Sequence, residues 1–514
     1  MNLGFEQLTQ IKKLSDWKQA YEEAIKQLDQ LYQEEERLYY EMYAHGVQSQ
    51  RIDEIQRIKH NLMTSEELKE ILLSWKDVLQ ADHVWHRRLE VFLAKMNEEA
   101  LDSHKEVVEL QKQLQGNLMG SSFTVNGKEY NLGSVHANII ENPDRHLRKL
   151  LLLESKKIGK KNEDLFRRLI QKRNKLAQEM GYTNYYHFRC SQKEMNMDTY
   201  IKEMNLLLEQ TRSFSKVWGN RIKEKFGWEK IHYYDQYFST FHFNHIQNLS
   251  FSSNRMKEVL ADVAGSLGIS IEQIPVSIES LEIPYGGFCI NIHPNNIKLV
   301  TNKRDSYSAF LSGIHEFGHA IDGYYSSYQY PELYRFYSSI AAESVAESFQ
   351  TIVTDKDFLL KNFDIQEDEY VQIAEMNQLT DLNMVKINYY FSLVEYELYK
   401  SPNRSFEAIA NECYKRVFGY EGETFHPASE MFYIENPAFF QDYNFALAIR
   451  DMIRNKFSIQ SLYGKKDVFN EILKHFIEPN QLYSWQERLE RLCGERHTFL
   501  YLKQTLVKEG NQTC

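Results

Sequence analysis

The chain has 514 residues, of which 42% are hydrophobic and 26% are charged, and its formal net charge is −11. A chain of this length can form two or three domains or one large enzyme, and its composition is that of a soluble globular protein. The negative charge argues against a nucleic-acid partner, because phosphate binding requires a basic surface.

Other features of the sequence predict where the protein works. Its five cysteines are scattered, odd in number and without a C-x-x-C pair, which indicates a reducing compartment. The first residues lack the apolar segment of a secretory signal, and no apolar run of about 18 residues predicts a membrane span. We therefore expect a cytoplasmic protein with no membrane partner.

The composition also predicts a fold class. The chain has only nine prolines and 22 glycines but is rich in Leu, Glu, Lys and Gln, which favours a mainly helical fold. Residues 1–120 read as long amphipathic helices, and Thr64 with Glu67 resembles a capping box that starts one of them. We expect a helical lobe at 1–120, without chemistry of its own, and a catalytic region at 121–514.

Turn residues mark the elements that follow. Asn126-Gly127 stands between two alternating runs and predicts a short hairpin. A helix is then predicted over residues 142–181, ending at Gly181, since glycine is typical just after a helix C terminus. The segment 195–226 is again predicted to be helical.

A different pattern begins at Gly286 and Gly287. Every second residue from Phe288 onward is apolar, and a turn at residues 294–296 leads into a second apolar run. This pattern predicts a strand hairpin directly before the next helix. Two interpretations stay open: a small stabilising sheet, or a sheet edge that binds an extended peptide of any sequence through main-chain hydrogen bonds.

His315, Glu316 and His319 form the pattern H-E-x-x-H on a predicted helix. Residues four apart lie one above the other on a helix, so both imidazoles can reach one ion at about 2 Å. The apolar residues of this helix recur on its other side, at Phe310, Ile314, Phe317 and Ile321. The arrangement is typical of zinc peptidases, with the glutamate as base. The alternative is a surface helix that carries two histidines by chance.

A catalytic zinc site needs a third protein ligand. A later predicted helix, capped by Ser338 or Ser339, carries Glu343 and Glu347 among small residues that permit close approach to the first helix. On this pattern either glutamate can be the ligand. Glu347, one turn beyond Glu343, could instead accept a hydrogen bond from the second ring nitrogen of a ligand histidine.

Three protein ligands leave one position for a water, whose proton Glu316 would take and hand to the leaving amine. Such a reaction also needs a donor for the oxyanion. Tyr443 is a candidate, because it is the only phenol in an otherwise apolar predicted helix. The alternative is a structural aromatic residue, since the chain has 33 tyrosines.

Together these motifs resemble the M3 family of zinc oligopeptidases, closest to its oligoendopeptidase F and PZ peptidase branch. The resemblance is carried by H-E-F-G-H-A at 315–320, by A-A-E-S-V-A with its glutamate 343 − 319 = 24 residues after the second histidine, and by the late segment P-A-F-F-Q-D-Y. L-I-Q-K-R-N-K-L-A-Q-E-M-G-Y-T-N-Y at 169–185 and the strand after Gly286 add to it. It spans about residues 120–510.

The resemblance implies a mainly helical, two-lobed fold with a deep central channel and a small β-sheet beside the zinc site. It implies one zinc ion per chain and short unfolded peptides as substrates. The roles that it implies are zinc ligation by His315, His319 and Glu343, base catalysis by Glu316, oxyanion stabilisation by Tyr443, and substrate pairing by Gly286, Gly287 and Phe288.

The late segment departs from the pattern of the PZ-type members. Phe432 stands where they have a substrate-binding histidine, and Phe440 replaces a second tyrosine. Two donors are therefore missing, and Tyr433 and His426 are the candidates to replace them in substrate binding. The departures suggest a specialised peptidase that matures or clears a particular peptide.

We therefore predict a zinc metalloendopeptidase that cleaves short unfolded peptides. One alternative is a catalytically weak zinc-containing protein that binds peptides without cutting them, although such a protein has no need of Glu316. Another is a helical interaction module built on residues 1–120. The sequence leaves the peptide specificity and the oligomeric state open.

Overall fold

The computed structural model of the protein describes residues 3–243, 251–283, 286–363 and 365–507. It is mainly helical with two small sheets, which confirms the predicted fold class. The deep central channel stays a prediction. None of the described helices combines the length and the apolar composition that crossing a membrane requires.

The helices are numbered in chain order. In the first half they are α1 (Leu14–His45), α2 (Arg51–Met63), α3 (Glu66–Val78), α4 (His83–Asp102), α5 (Lys105–Met119), α6 (Leu132–Glu141), α7 (Arg145–Glu179), α8 (Tyr185–Gln192), α9 (Met197–Gln210), α10 (Arg212–Phe226), α11 (Tyr233–His242) and α12 (Met256–Ser266). In the second half they are α13 (Tyr307–Tyr325), α14 (Pro331–Arg335), α15 (Ser339–Gln350), α16 (Lys356–Asn362), α17 (Glu367–Lys400), α18 (Phe406–Phe418), α19 (Phe432–Glu435), α20 (Phe440–Phe457), α21 (Lys466–Ile472), α22 (Trp485–Cys493) and α23 (Leu500–Leu506).

The strands are β1 (Ser122–Val125), β2 (Lys128–Asn131), β3 (Val276–Leu281), β4 (Gly287–His293) and β5 (Asn296–Asn302). β1 and β2 form the predicted hairpin, in which Ser122 pairs with Asn131. Asn126 and Gly127 at its turn have φ of 52° and 77°, and this left-handed conformation is the one that an Asn-Gly hairpin turn requires.

The chain forms two compact units. The first contains Met1–Ser103, Leu249–Asp364 and Met452–His497. The second contains His104–Asn248, Ile365–Asp451 and Thr498–Cys514. The predicted division into 1–120 and 121–514 follows chain order, whereas each unit combines segments that are far apart in the sequence.

Packing explains why the first unit combines segments that are far apart in the sequence. Arg88 in α4 is fully buried, and its guanidinium pairs with the buried carboxylate of Glu332 in α14 at 2.5 Å. Tyr40 in α1 belongs to an apolar cluster with Ile283 and Val300. The first hundred residues therefore bury their inward faces against elements that lie two hundred residues later, which composition alone does not reveal.

Helix ends mostly agree with the prediction. α7 begins after Asp144, whose carboxylate accepts hydrogen bonds from two backbone N–H groups, and it ends just before Gly181, where φ is 88°. The predicted helical segment 195–226 is two helices, α9 and α10, that meet at Thr211. The predicted capping box was wrong: Ser65, not Thr64, caps α3, and its Oγ accepts a hydrogen bond from Leu68 N at 3.2 Å.

The second sheet has the strand order β3-β5-β4. β4 and β5 form the predicted antiparallel hairpin, and β3, which was not predicted, pairs with β5 in parallel. α13 packs against β4 and β5, while Phe288 and Ile290 pack beside Tyr40 of α1. β4 is therefore an edge strand of a sheet that supports α13.

Candidate metal centre

The sequence of α13 presents its histidines on one side. The helix begins after Ser306, whose Oγ accepts a hydrogen bond from Ala309 N at 3.2 Å. The predicted apolar stripe is buried, at Phe310, Ile314, Phe317 and Ile321. The opposite side is only half-buried, and it carries His315, Glu316 and His319. The pattern of the helix thus places its two imidazoles where a third ligand can approach.

α15 supplies that approach. Ser338 caps it, as one of the two predicted alternatives, by accepting a hydrogen bond from Ala341 N. A Cβ on Gly318 of α13 would lie 2.6 Å from Ala346 Cα of α15. The two helices can therefore approach this closely only because position 318 is glycine. Their contact brings Glu343 next to the histidines.

Three ligand atoms converge at this point. His315 Nε2 lies 3.3 Å and His319 Nε2 3.8 Å from Glu343 Oε2. Tetrahedral zinc with ligands at about 2.0–2.1 Å separates neighbouring ligand atoms by about 3.3 Å. In the described part of the chain, this is the one group of three His, Cys, Asp or Glu residues whose ligand atoms lie within 4.8 Å of one another. The donor set and its spacing fit a zinc ion.

Negative charge surrounds the histidines. Burial lowers the pKa of His315, but the hydrogen-bonded Glu343 carboxylate, together with Glu316 and Glu347, outweighs it and raises the pKa to about 9. Glu347 is 8% exposed and does not belong to the three-ligand group. The predicted hydrogen bond to Glu347 is not made by His315, because His315 Nδ1 has no hydrogen-bond partner among the described residues. Glu347 acts on this ring through its charge.

The start of β4 lies directly against α13. A Cβ on Gly286 would lie 2.6 Å from Ser312 Oγ. A Cβ on Gly287 would lie 2.9 Å from Val300 O and 3.2 Å from Glu316 Cγ. Both glycines are thus needed for the edge strand to pass beside Glu316. The Phe288 side chain points to the other face of the sheet, where it packs beside Tyr40, so only its main chain can face a ligand on this side.

The remaining candidates belong to the second unit. Tyr443 lies in α20, is half-buried, and has its ring centroid 5.3 Å from that of Phe439. The expectation of an otherwise apolar helix was wrong, because Gln441, Asp442 and Asn444 beside it are polar and fully buried.

Tyr433 and His426 already have other partners. Tyr433 is 0% exposed, and its hydroxyl donates to Phe391 O at 2.8 Å. His426 is 2% exposed; its Nε2 lies 3.1 Å from Glu163 Oε2, and its Nδ1 accepts a hydrogen bond from Ala428 N. We therefore do not retain either residue as a substrate-binding group, since burial and these hydrogen bonds give each a structural role.

Comparison with known proteins adds to this geometry. The model of peptidase family M3 matches residues 138–273, upstream of α13. This match covers 136 of the 514 residues and supports the resemblance to peptidase family M3 that the sequence motifs carry. The family match and the similar solved structures support the predicted recognition as an M3-type oligopeptidase and the predicted enzyme class, a metalloendopeptidase.

Solved structures share the fold of this protein at low sequence identity. PZ peptidase A, solved with an inhibitor, is 14% identical, with a TM-score of 0.75 and coverage of 98% of this chain and 94% of that chain. A protein described as an oligoendopeptidase F from Bacillus anthracis is 15% identical, with a TM-score of 0.66 over 98% and 93% of the two chains. A Pyrococcus furiosus carboxypeptidase is 12% identical, with a TM-score of 0.64 over 98% of each chain. Among curated proteins, no sequence matches the chain.

The structure adds residues that the sequence motifs did not indicate. Asp322 lies one turn beyond His319 in α13; burial raises the pKa of its carboxyl, and the nearby charges of Arg488 and His319 oppose that rise. The spacing of three residues from His319 was a signal that could have found it. In the second unit, Lys193 and Glu395 hold the backbone that leads to Tyr443, and no local pattern marks either of them.

Proposed function

We propose that the protein is an M3-type peptidase that uses one zinc ion, held by His315, His319 and Glu343, to hydrolyse short unfolded peptides with Glu316 as the general base. The observation that carries the proposal is the convergence of two imidazole nitrogens from α13 and a carboxylate oxygen from α15 within 4.8 Å of one another. Glu316 lies on α13 beside the first of these histidines. Zinc, when bound, activates a water and polarises the substrate carbonyl.

Glu316 is the general base and then the general acid in this mechanism. Its carboxylate accepts a proton from the attacking water as the water oxygen bonds to the carbonyl carbon, and it gives that proton to the amine as the C–N bond breaks. Its Cγ would be 3.2 Å from a Cβ on Gly287, so the base lies beside the start of the edge strand. A peptide aligned along β4 would therefore pass close to the base.

The edge strand β4 supports a peptide substrate of varied sequence. Main-chain N–H and C=O groups of an edge strand pair with any extended backbone, and only the side-chain pockets discriminate between sequences. Gly286 and Gly287 let the backbone of this strand reach the metal helix. Phe288 contributes its main chain to this pairing, while its ring belongs to the core beside Tyr40.

Tyr443 completes the proposal as the donor to the oxyanion. Its support is the match of its segment to the family pattern and its half-buried position in α20. A phenol that donates to the developing oxyanion typically contributes a factor of about 10²–10³ to kcat, as a single donor does in other enzymes.

The setting that we propose is the cytoplasm, with peptides and neither nucleic acid nor membrane as partners. The four cysteines in the described part of the chain are free, which supports a reducing compartment. Glu316 argues against the alternative of a protein that only binds peptides, because ligand capture needs no base.

The test combines metal analysis with mapping of cleaved peptides. We expect about one zinc per chain in both the wild type and Glu316→Gln, with cleavage at least about 100-fold slower in the variant. Glu258→Gln is the matched control, since this carboxylate in α12 is 75% exposed. Cleavage by Glu316→Gln at the wild-type rate would contradict the role of the base. Zinc-loaded wild type that binds peptides without cutting them would favour the alternative function.

A further inference from the structure

The segment that leads to Tyr443 is held by buried polar groups. Gln441, Asp442 and Asn444 are each 0% exposed, whereas Tyr443 among them is half-buried. Buried polar side chains are costly unless they are hydrogen-bonded, and a fully satisfied network fixes one arrangement of its members. In the first turn of α20, three polar side chains are therefore fully buried, while the Tyr443 side chain stays partly exposed.

A strained turn precedes α20. Ala438 has φ of 55°, a left-handed conformation that is uncommon for a residue with a Cβ. Its N–H donates to both carboxylate oxygens of Glu395, at 3.0 and 3.1 Å, and Glu395 is itself 0% exposed. Its carbonyl oxygen accepts hydrogen bonds from Lys193 Nζ at 2.7 Å and from the Gln441 amide. The N–H and the C=O of Ala438 are therefore both hydrogen-bonded, by the buried Glu395 and Gln441 and by the mostly buried Lys193.

Lys193 joins the turn to the helix. Its ammonium group donates to Ala438 O and pairs with Asp442 Oδ2 at 2.5 Å, and it lies 4.7 Å from the centroid of the Phe439 ring. The lysine side chain is 11% exposed and the aspartate side chain 0%. One cation therefore fixes the residue before the helix and the residue that directly precedes Tyr443.

The other anchors come from neighbouring helices of the same unit. Gln441 Oε1 accepts a hydrogen bond from the Tyr186 hydroxyl at 2.8 Å. Asn444 Nδ2 donates to the Tyr200 hydroxyl at 2.9 Å and to Val385 O at 3.1 Å. Residues on both sides of Tyr443 are thus hydrogen-bonded to α8, α9 and α17, which restrains the backbone between them.

We propose that Lys193 and Glu395 are positioning residues for Tyr443: they hold the Ala438 turn and Asp442 so that the phenol keeps one orientation during peptide hydrolysis. The inference rests on the proposed function of Tyr443 as the oxyanion donor. Replacing a buried ion pair by apolar groups is often neutral or stabilising, so stability alone gives no reason for this network. The orientation of Tyr443 gives such a reason, because an oxyanion donor must lie within a few tenths of an ångström of its productive position.

A double-mutant cycle tests the inference. We expect Tyr443→Phe to lower kcat about 100-fold and Lys193→Met to lower it about 10-fold, each with KM changed less than about twofold. In the Tyr443→Phe background, Lys193→Met should lower kcat by less than about twofold, because no phenol is left to misplace. Lys193→Arg should restore most of the loss, and Glu395→Leu, which removes both acceptor oxygens from Ala438 N, should behave like Lys193→Met.

Lys172→Met is the matched control. Lys172 is in the same unit, its side chain is 15% exposed, and it pairs with Glu106 at 2.8 Å. Its loss removes a lysine of similar exposure, whose partner Glu106 is 53% exposed and does not belong to the Tyr443 segment. We expect kcat within about twofold of the wild type in both backgrounds.

A readout that does not depend on activity completes the experiment. Fluorotyrosine incorporated at position 443 should give one sharp ¹⁹F resonance in the wild type and in Lys172→Met, and a shifted or broadened one in Lys193→Met. If Lys193→Met lowers kcat equally in both backgrounds and leaves the resonance unchanged, the positioning role is wrong while the peptidase assignment stands. If Tyr443→Phe retains the wild-type kcat, the role of Tyr443 fails and this inference fails with it.

Discussion

Phe440 shows what a departure from the family pattern does at the scale of one residue. Its ring stacks on Phe391 with centroids 4.5 Å apart and packs against Phe432 at 4.9 Å. Phe432 and Phe440, the two departures from the PZ-type pattern, therefore lie in one aromatic cluster. Apolar contacts are present there where the pattern has hydrogen-bond donors. The sequence showed the two substitutions but not that they contact each other.

The cluster gives a prediction for Phe440→Tyr. The new hydroxyl restores a donor that the PZ-type pattern has, so we expect kcat/KM to rise several-fold for part of a library of about ten-residue peptides. The measurement is mass-spectrometric mapping of cleavage rates. Phe391→Tyr is the control, because it adds the same hydroxyl to the ring that stacks on Phe440 but lies outside the segment that carries the pattern. Equal rates for Phe440→Tyr and the wild type across the library would count against a specialised role of the cluster.

A second prediction at this scale concerns the pH dependence of stability. Burial raises the pKa of Glu395 from 4.5 to about 8, and the Ala438 N–H together with the nearby cations Arg173, Lys193 and Arg189 opposes that rise. The folded state therefore keeps the proton up to a higher pH than the unfolded chain does. Between about pH 4.5 and pH 8, this carboxyl lowers the free energy of unfolding by up to about 1.4 kcal/mol for each pH unit.

Glu395→Gln removes that titration. We expect its free energy of unfolding to fall less than that of the wild type as the pH rises from 5 to 8, measured by urea denaturation. Glu258→Gln should keep the wild-type slope, since that carboxylate is 75% exposed. Parallel curves for Glu395→Gln and the wild type would show that Glu395 has an ordinary pKa in the folded protein.

At the scale of elements, local signals predicted α13, α15 and both hairpins. The stripe of Phe310 and its partners, the serine caps and the Asn126-Gly127 turn each act within a few residues, so the sequence displays them directly. β3 was missed because its parallel pairing joins Val276 to Ile297 across the chain, and no turn marks such a pair.

Buried polar residues were missed for a related reason. Gln441 and Asn444 resemble surface residues in the sequence, and their partners come from α8, α9 and α17. A polar residue is read as exposed until its distant partner is known. His426 and Tyr433 were predicted to bind substrate for the same reason, because the sequence does not display their partners Glu163 and Phe391.

The contact of α13 with α15 gives a prediction for Gly318→Ala. The added Cβ would lie 2.6 Å from Ala346 Cα and 3.2 Å from Phe349 Cβ, so the two helices must move apart. We expect a loss of about 1–3 kcal/mol in the free energy of unfolding, together with weaker zinc binding, because Glu343 moves with α15. Urea denaturation and competition with a chelator measure the two effects.

Gly219→Ala is the matched control for that change. Gly219 lies inside α10, and a Cβ there meets nothing within 4 Å, so the substitution should stabilise the protein by about 0.5–1 kcal/mol. Gly318→Ala that binds zinc as tightly as the wild type would show that the spacing of α13 and α15 does not set the metal site.

At the scale of the whole molecule, the candidate metal centre lies in one of the two compact units. His315, His319 and Glu343 belong to the segment 249–364, whose elements pack with residues 1–103. The sequence placed all chemistry after residue 120, yet Tyr40 of α1 packs against the sheet that supports the metal helix. The N-terminal helices thus contribute to the site as its scaffold.

Removal of the proposed zinc ion should lower the stability of the elements that surround it. A ligand held at 100 times its dissociation constant stabilises the folded state by about 2.7 kcal/mol, so a chelator should lower the melting temperature by several degrees. We expect faster amide hydrogen exchange in α13, α15 and β4, since the proposed zinc ion would join the first two and Gly287 of β4 lies against Glu316 of α13. The β1–β2 hairpin of the second unit is the internal control and should exchange at an unchanged rate. If exchange in α13 and α15 is the same with and without the chelator, these two helices do not share a metal ion.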